Sequence, residues 1–170
     1  DPGSTDGSRD IIRSYAGAIT AFIEEPDAGP ADGLNKGFAR ARAEIFGYIN
    51  SDDRFVPGAL RFALDYFRSH PEVDVLTGAI RIMDEHGTVS LRKRTSDLFD
   101  LADYAAGVCT IGQQATFFRK RAFQEAGGFN VQNRIAWDGE LLVDMALTGA
   151  RFATARKVLG DFRIYDGSIT

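Results

Sequence analysis

Cysteine is nearly absent from this chain: Cys109 is the only one in 170 residues. No intramolecular disulfide can form, neither a cysteine zinc cluster nor a secreted disulfide framework is available, and a reducing compartment suits the composition best. Histidine is almost as scarce. His70 precedes Pro71 at an expected helix end and His86 falls in an expected turn, so both read as surface residues without catalytic spacing. No apolar run approaches the ~20 residues that a membrane span needs, and no signal-peptide pattern opens the chain. An excess of positive charge is also missing, since the formal net charge is -4 and the pI about 5.2. That balance argues against a broad nucleic-acid surface and leaves a nucleotide ligand open. The chain starts at Asp1-Pro2-Gly3-Ser4 without an initiating Met, and we expect an upstream segment to be missing.

What is present is ordinary globular material, 44% hydrophobic and 26% charged, at a length that suits one domain spanning 1–170. Hydrophobic spacing predicts a short helix from Ser8 to Tyr15 and a strand around Ala18 to Ile23. A loop follows, then a helix from Ala31 to Ala43 and a buried strand from Ile45 to Ile49. A helix from Pro57 to Arg68 is expected to turn Leu60, Leu64 and Phe67 inward. Val73 to Met83 reads as a long strand returning through Glu85-His86-Gly87-Thr88 into Val89 to Arg92 as a hairpin. Further on, Ser96 to Ala106 suits a short helix, Ala115 to Arg119 a strand, and Lys120 to Ala126 a helix ended by Gly127-Gly128. A polar loop, Asn130 to Ala136, leads to a helix from Asp138 to Leu147, and Arg151 to Ala155 and Val158 to Arg163 close the chain as short strands. This alternation predicts an α/β fold of three layers.

The most informative stretch is Asn50-Ser51-Asp52-Asp53, directly after Ile45-Phe46-Gly47-Tyr48-Ile49. Paired carboxylates at the carboxyl end of a buried strand sit where open α/β sheets bind ligands, and their hard oxygens suit a divalent cation carrying phosphates. The competing reading is that Asp52 and Asp53 cap the helix after Pro57.

Neighbouring motifs favour the first reading. Asp1-Pro2-Gly3-Ser4-Thr5-Asp6-Gly7-Ser8, Glu25-Pro26-Asp27-Ala28-Gly29, Asp32-Gly33-Leu34-Asn35-Lys36-Gly37 and Asn50-Ser51-Asp52-Asp53 resemble, in order and spacing, the nucleotide-binding half of family 2 glycosyltransferases. Gly112-Gln113-Gln114-Ala115-Thr116-Phe117-Phe118-Arg119, Gly127-Gly128-Phe129 and Trp137-Asp138-Gly139-Glu140-Leu141 are similar to that family's acceptor-side strand, glycine-rich turn and catalytic-base helix. The specificity lies in the ordered set, which covers nearly the whole chain.

The resemblance implies a GT-A, Rossmann-like mixed sheet, mostly parallel with antiparallel edge strands. It implies inverting sugar transfer from a nucleotide diphosphate donor, a UDP-sugar in the first instance, to a saccharide or lipid-linked acceptor with Mn2+ or Mg2+. By the same resemblance Asp53 is the direct metal ligand with Asp52 beside it, Asp1 meets the nucleobase and Asp27 the nucleoside. Asn35 and Lys36 would contact ribose or diphosphate, Gln113 and Gln114 donor or acceptor hydroxyls, and Arg163 the diphosphate. Asp138 is the general base and Glu140 the alternative. Three positions depart from the family pattern: Asn50 replaces the first acidic residue of the metal motif, Trp137 the first acidic residue of the base pair, and Tyr165 a histidine after Arg163. A nucleotidyltransferase of similar fold and a non-catalytic nucleotide- or saccharide-binding remnant are the alternatives. The expected setting is a bacterial cytoplasm or the inner membrane face, with peripheral membrane association, self-association through an exposed sheet edge, and no nucleic-acid partner.

Overall fold

In the computed structural model residues 1–95 and 98–166 are described. Part of the helix expected from Ser96 and the Gly167-Ser168 end of the terminal segment lie outside the described residues. The helices are α1 (Ser8–Ser14), α2 (Pro30–Arg40), α3 (Ala59–Ser69), α4 (Leu101–Ala105), α5 (Lys120–Glu125) and α6 (Trp137–Leu147). The strands are β1 (Ile45–Phe46), β2 (Arg54–Phe55), β3 (Val75–Met83), β4 (Val89–Thr95), β5 (Thr116–Arg119) and β6 (Phe152–Arg163), and a 3-10 turn at Gln113–Ala115 leads into β5.

The sheet runs β1-β5-β3-β6-β2, with β4 also paired to β3. It is mixed, as expected, but not mostly parallel: among the described residues only β3 and β6 run parallel, and the other pairs are antiparallel. The β3–β4 hairpin and the strand before α5 stand where hydrophobic spacing put them.

Strand alternation builds the layers. Val75 and Phe118 face a core shared with Phe38 of α2, Phe123 of α5 and Leu141, Leu142 and Met145 of α6. Their chain neighbours Leu76 and Phe117 point the other way, toward Ala59, Ala63 and Phe67 of α3 and Leu159 of β6. One sheet therefore carries helices on both faces, the three layers anticipated.

Some elements differ from expectation for physical reasons. Residues 18–23 form no strand and pair with no strand among the described residues; Ile23 O accepts Asp1 N at 2.9 Å. On α3, Leu60 and Leu64 are 55% and 44% exposed, because the helix turns Ala59, Ala63 and Phe67 inward instead. The two alanines let the helix lie close to the sheet while Phe67 fills the space between them. The two short closing strands are one strand, β6, whose register against β3 shifts between Thr77 and Ile80.

Candidate active site

The first half of the site is built around Asp53. After β1 the chain turns, Asp53 N donating to Asn50 O at 3.1 Å, and β2 then pairs with β6 so that Arg54 lies opposite Asp161. This brings Asp53 to the end of β6, where Arg163 N donates to its Oδ1 at 2.8 Å and Gln114 Nε2 to its Oδ2 at 2.9 Å. The capping reading is thereby set aside: α3 has Gly58 at its N-cap and no side-chain cap bond. Burial pushes the Asp53 carboxyl above its ordinary range and the charge of Asp52 adds to this, against hydrogen bonds from Arg163 N and from the Gln114 and Asn50 side chains. Gly160 is required for this approach, because a Cβ there would stand 2.3 Å from Gln114 O.

A carboxylate offers about four lone-pair sites, so Asp53 retains acceptor capacity beside these donors. With the Asp52 carboxylate and the Asn50 amide oxygen nearby in sequence, the donors are hard oxygens of the kind Mg2+ and Mn2+ take. Among the described residues no group of three or more His, Cys, Asp or Glu converges.

Arg163 lies beside Asp53, but its guanidinium is engaged. Nε donates to Asp52 O at 2.8 Å, and Nη1 to Asp84 O at 2.9 Å and Glu85 O at 2.8 Å. The side chain thus ties the Asp52 turn to the β3–β4 hairpin. Behind it, Asp161 is 1% exposed and takes Arg54 Nε at 2.7 Å and Arg81 at 2.7 and 3.0 Å. Burial opposes the Asp161 charge, yet the two guanidinium partners hold its carboxyl below the usual range.

The second half is the start of α6. Ala136 occupies the N-cap with no side-chain bond, so Asp138 sits inside the first turn, where its carboxylate accepts Gly139 N at 2.9 Å and favours the helix dipole. Asp138 lines a cavity of about 30 Å³ with Tyr48, Tyr104, Gln113, Thr116 and Leu141 among its walls. Burial, reinforced by the charge of Asp138, raises both phenols, Tyr104 to about 12 and Tyr48 further. Glu140 turns outward to accept Asn130 Nδ2 at 2.8 Å and Asn133 Nδ2 at 2.7 Å. These bonds hold its carboxyl below the ordinary glutamate value, a poor disposition for a base. Trp137 packs inward, its ring 5.2 Å from Phe129 and 5.9 Å from Tyr48.

The halves meet at the 3-10 turn. Gln114 reaches Asp53, and its neighbour Gln113 lines the Asp138 cavity while its Nε2 donates to Tyr48 O at 2.9 Å.

The remaining predicted positions lie around the donor-side loops. Asp1 accepts Gly3 N at 2.9 Å, Ser4 N at 2.8 Å and Arg9 Nε at 3.2 Å. Asp27 closes an Asx turn with Gly29 N at 3.0 Å. Lys36 Nζ donates to Pro26 O at 2.7 Å and Asp32 at 2.9 Å, fastening that loop to α2. Asn35 is tied to the main chain of Phe129, donating to its O at 2.8 Å and accepting its N at 3.0 Å.

Sequence reasoning overlooked Tyr48, Tyr104, Asp161 and Arg134. Tyr48, a phenol in a buried run next to the acidic turn, carried a readable signal. The others did not, since their roles depend on distant segments: Arg134 donates to Ala28 O, joining loop 130–136 to the Asp27 loop.

The glycosyl transferase family 2 model matches residues 1–135. A glycosyltransferase of Mycobacterium tuberculosis is 31% identical over 167 residues, covering 95% of this chain and 61% of the relative. The amylovoran biosynthesis glycosyltransferase AmsE of Erwinia amylovora is 30% identical over 106 residues, 62% of this chain and 40% of that protein. The chain thus spans less than two thirds of these relatives' length. Among solved structures, Staphylococcus aureus TarS in complex with UDP-GlcNAc superposes with a TM-score of 0.74 at 19% identity, over 99% of this chain and 49% of that one. The mannosyltransferase PcManGT of Pyrobaculum calidifontis, in complex with GDP-Man and Mn2+, gives 0.70 at 18% identity over 99% and 48%. The mixed sheet with helices on both faces is that of GT-A glycosyltransferases, and the chain belongs to glycosyl transferase family 2.

Proposed function

We propose that this chain is the donor-binding and catalytic part of an inverting, metal-dependent glycosyltransferase that moves a sugar from a nucleotide diphosphate, a UDP-sugar, to a saccharide or lipid-linked acceptor. The observation that carries the reading is the pair of consecutive glutamines: Gln114 fixes Asp53 and Gln113 faces the Asp138 cavity, so one rigid turn sets two carboxylates with different tasks. Asp53, with Asp52, would hold Mg2+ or Mn2+, which when bound neutralises charge on the leaving diphosphate. Asp138 accepts the proton of the acceptor hydroxyl as its oxygen forms the bond to the anomeric carbon and the nucleoside diphosphate departs from the opposite face. Asp1, Asp27 and Lys36 border the donor side. Asn35 and Arg163 hold main chain in place of a donor contact.

The relatives support the setting. AmsE is named for amylovoran biosynthesis and ExoU of Rhizobium meliloti, 28% identical over 171 residues, for succinoglycan biosynthesis. We read the product as a bacterial surface polysaccharide or glycolipid, assembled in the cytoplasm or at the inner membrane face. No helix among the described residues is long and apolar enough to cross a membrane. The nucleotide sugars in the TarS and PcManGT complexes, and the Mn2+ of the latter, support the donor class and the cation.

The test is transfer from UDP-sugars by the full-length protein, with Mn2+ and with EDTA, and with the anomeric configuration of the product read by NMR. Inverted product and loss of transfer in EDTA are expected. Retained configuration contradicts the mechanism, and full activity in EDTA contradicts the role of the cation.

A further inference from the structure

Gln113 Oε1 is the one buried side-chain polar atom among the described residues that lacks a hydrogen-bond partner. The amide cannot be turned to relieve it. Nε2 donates to Tyr48 O at 2.9 Å, and a flip would set two acceptors against each other. An amide oxygen left dry in this way is costly, so a donor is expected beside it.

The residue lines the same cavity of about 30 Å³ as Asp138, Tyr48 and Tyr104, a space that suits one water. Thr116, also in the wall, is not that donor, because its hydroxyl donates to Gly112 O at 2.8 Å. We propose that a buried water donates one hydrogen bond to Gln113 Oε1 and the other to the Asp138 carboxylate, so that Gln113 positions the base through it. The inference rests on the reading of Asp138 as base.

Proton arithmetic favours water over the acceptor's own hydroxyl. A sugar hydroxyl has a single hydrogen and must give it to Asp138, leaving none for Gln113 Oε1, whereas water has two. The phenols can donate to the water's lone pairs, giving it the two to four partners that a retained internal water keeps. Gly139 makes room for one of them: a Cβ at that position would stand 3.1 Å from Tyr104 Oη, tight enough to push the phenol aside.

The experiment is a high-resolution crystal structure of the full-length protein, paired with kinetics of Gln113→Met, which keeps the volume and removes the acceptor. An ordered water within hydrogen-bonding distance of both Gln113 Oε1 and Asp138 is expected in the native protein and missing in the variant. The variant's kcat should fall about 10-fold or more with the donor KM unchanged, the mark of a misplaced group rather than weakened binding. Gly139→Ala, which perturbs only Tyr104, should give a smaller drop in the same sense. If the native cavity is dry, or holds a group bonded to only one of the two residues, the proposal is overturned, whether or not the variants fold. It is also overturned if folded Gln113→Met turns over normally while Asp138→Asn does not. Normal turnover by Asp138→Asn is a different failure: it removes the base assignment and leaves the bridging water to be judged by the density.

Discussion

The two carboxylates at the centre of this site are held in opposite ways. Asp53 accepts a backbone N–H and a side-chain amide, one on each oxygen, and the strand behind it is anchored by the buried Asp161 with its two arginines. Asp138 accepts, among the described residues, the N–H of the next residue and otherwise faces a small cavity walled by phenols, Gln113, Thr116 and apolar side chains. The contrast fits the chemistry. A group that holds a cation benefits from a fixed orientation and remaining acceptor capacity. A group that must take up a proton benefits from facing the space that the proton donor enters. Glu140 differs from both, since each of its oxygens takes a fixed amide donor from the 130–136 loop.

The sharpest way to break this comparison is Asp138→Asn. It keeps the shape and removes the basic oxygen, so turnover of the full-length enzyme should fall by ~10²–10⁴-fold with donor affinity nearly unchanged. A variant with normal kcat would show that both carboxylates belong to binding.

Next in size is the frame behind Asp53. Asp161→Asn should cost about 2 kcal/mol at neutral pH, the scale of lost charge-assisted bonds whose arginine partners still reach solvent. The sign with pH follows from the depressed folded value of Asp161: its contribution is complete above the ordinary value of 3.8 and disappears as pH falls through the lower folded one. Urea melts of the two proteins should therefore differ at pH 7 and converge in strong acid.

Asn35→Ala comes third. It removes both bonds to Phe129, so a loss of about 1–3 kcal/mol in chemical denaturation is expected, with calorimetric donor affinity of the folded variant unchanged. The smallest effect belongs to Glu140→Gln, whose turnover should stay within about threefold of the parent, because the side chain serves loop 130–136. Loss of activity in that variant would move the base two residues along α6.

The sequence made the elements with local signals legible. The helical spacing of α2, the hairpin from β3 to β4 and the glycine stop after α5 needed no knowledge of the rest of the chain. Where the outcome depended on distant partners the reading failed. Residues 18–23 carry strand-forming side chains but find no ladder, and α3 chose the face with Ala59, Ala63 and Phe67 over the one with two leucines because close contact with the sheet needs small residues. The site divides in the same way. Asp53 and Asp138 were visible as short motifs at element ends. The polar atoms of Asn35 and Arg163 were as visible, but segments far along the chain had already claimed them, a fact that no local pattern records.

The division of labour between Asp53 and Asp138 is tested most directly by calorimetric titration of a UDP-sugar into the full-length protein and both variants, with and without Mn2+. Asp53→Ala, folded, should lose the Mn2+-dependent part of the affinity, while Asp138→Asn should keep it in full. Wild-type Mn2+-dependent affinity in folded Asp53→Ala would contradict the account, and so would its loss in Asp138→Asn.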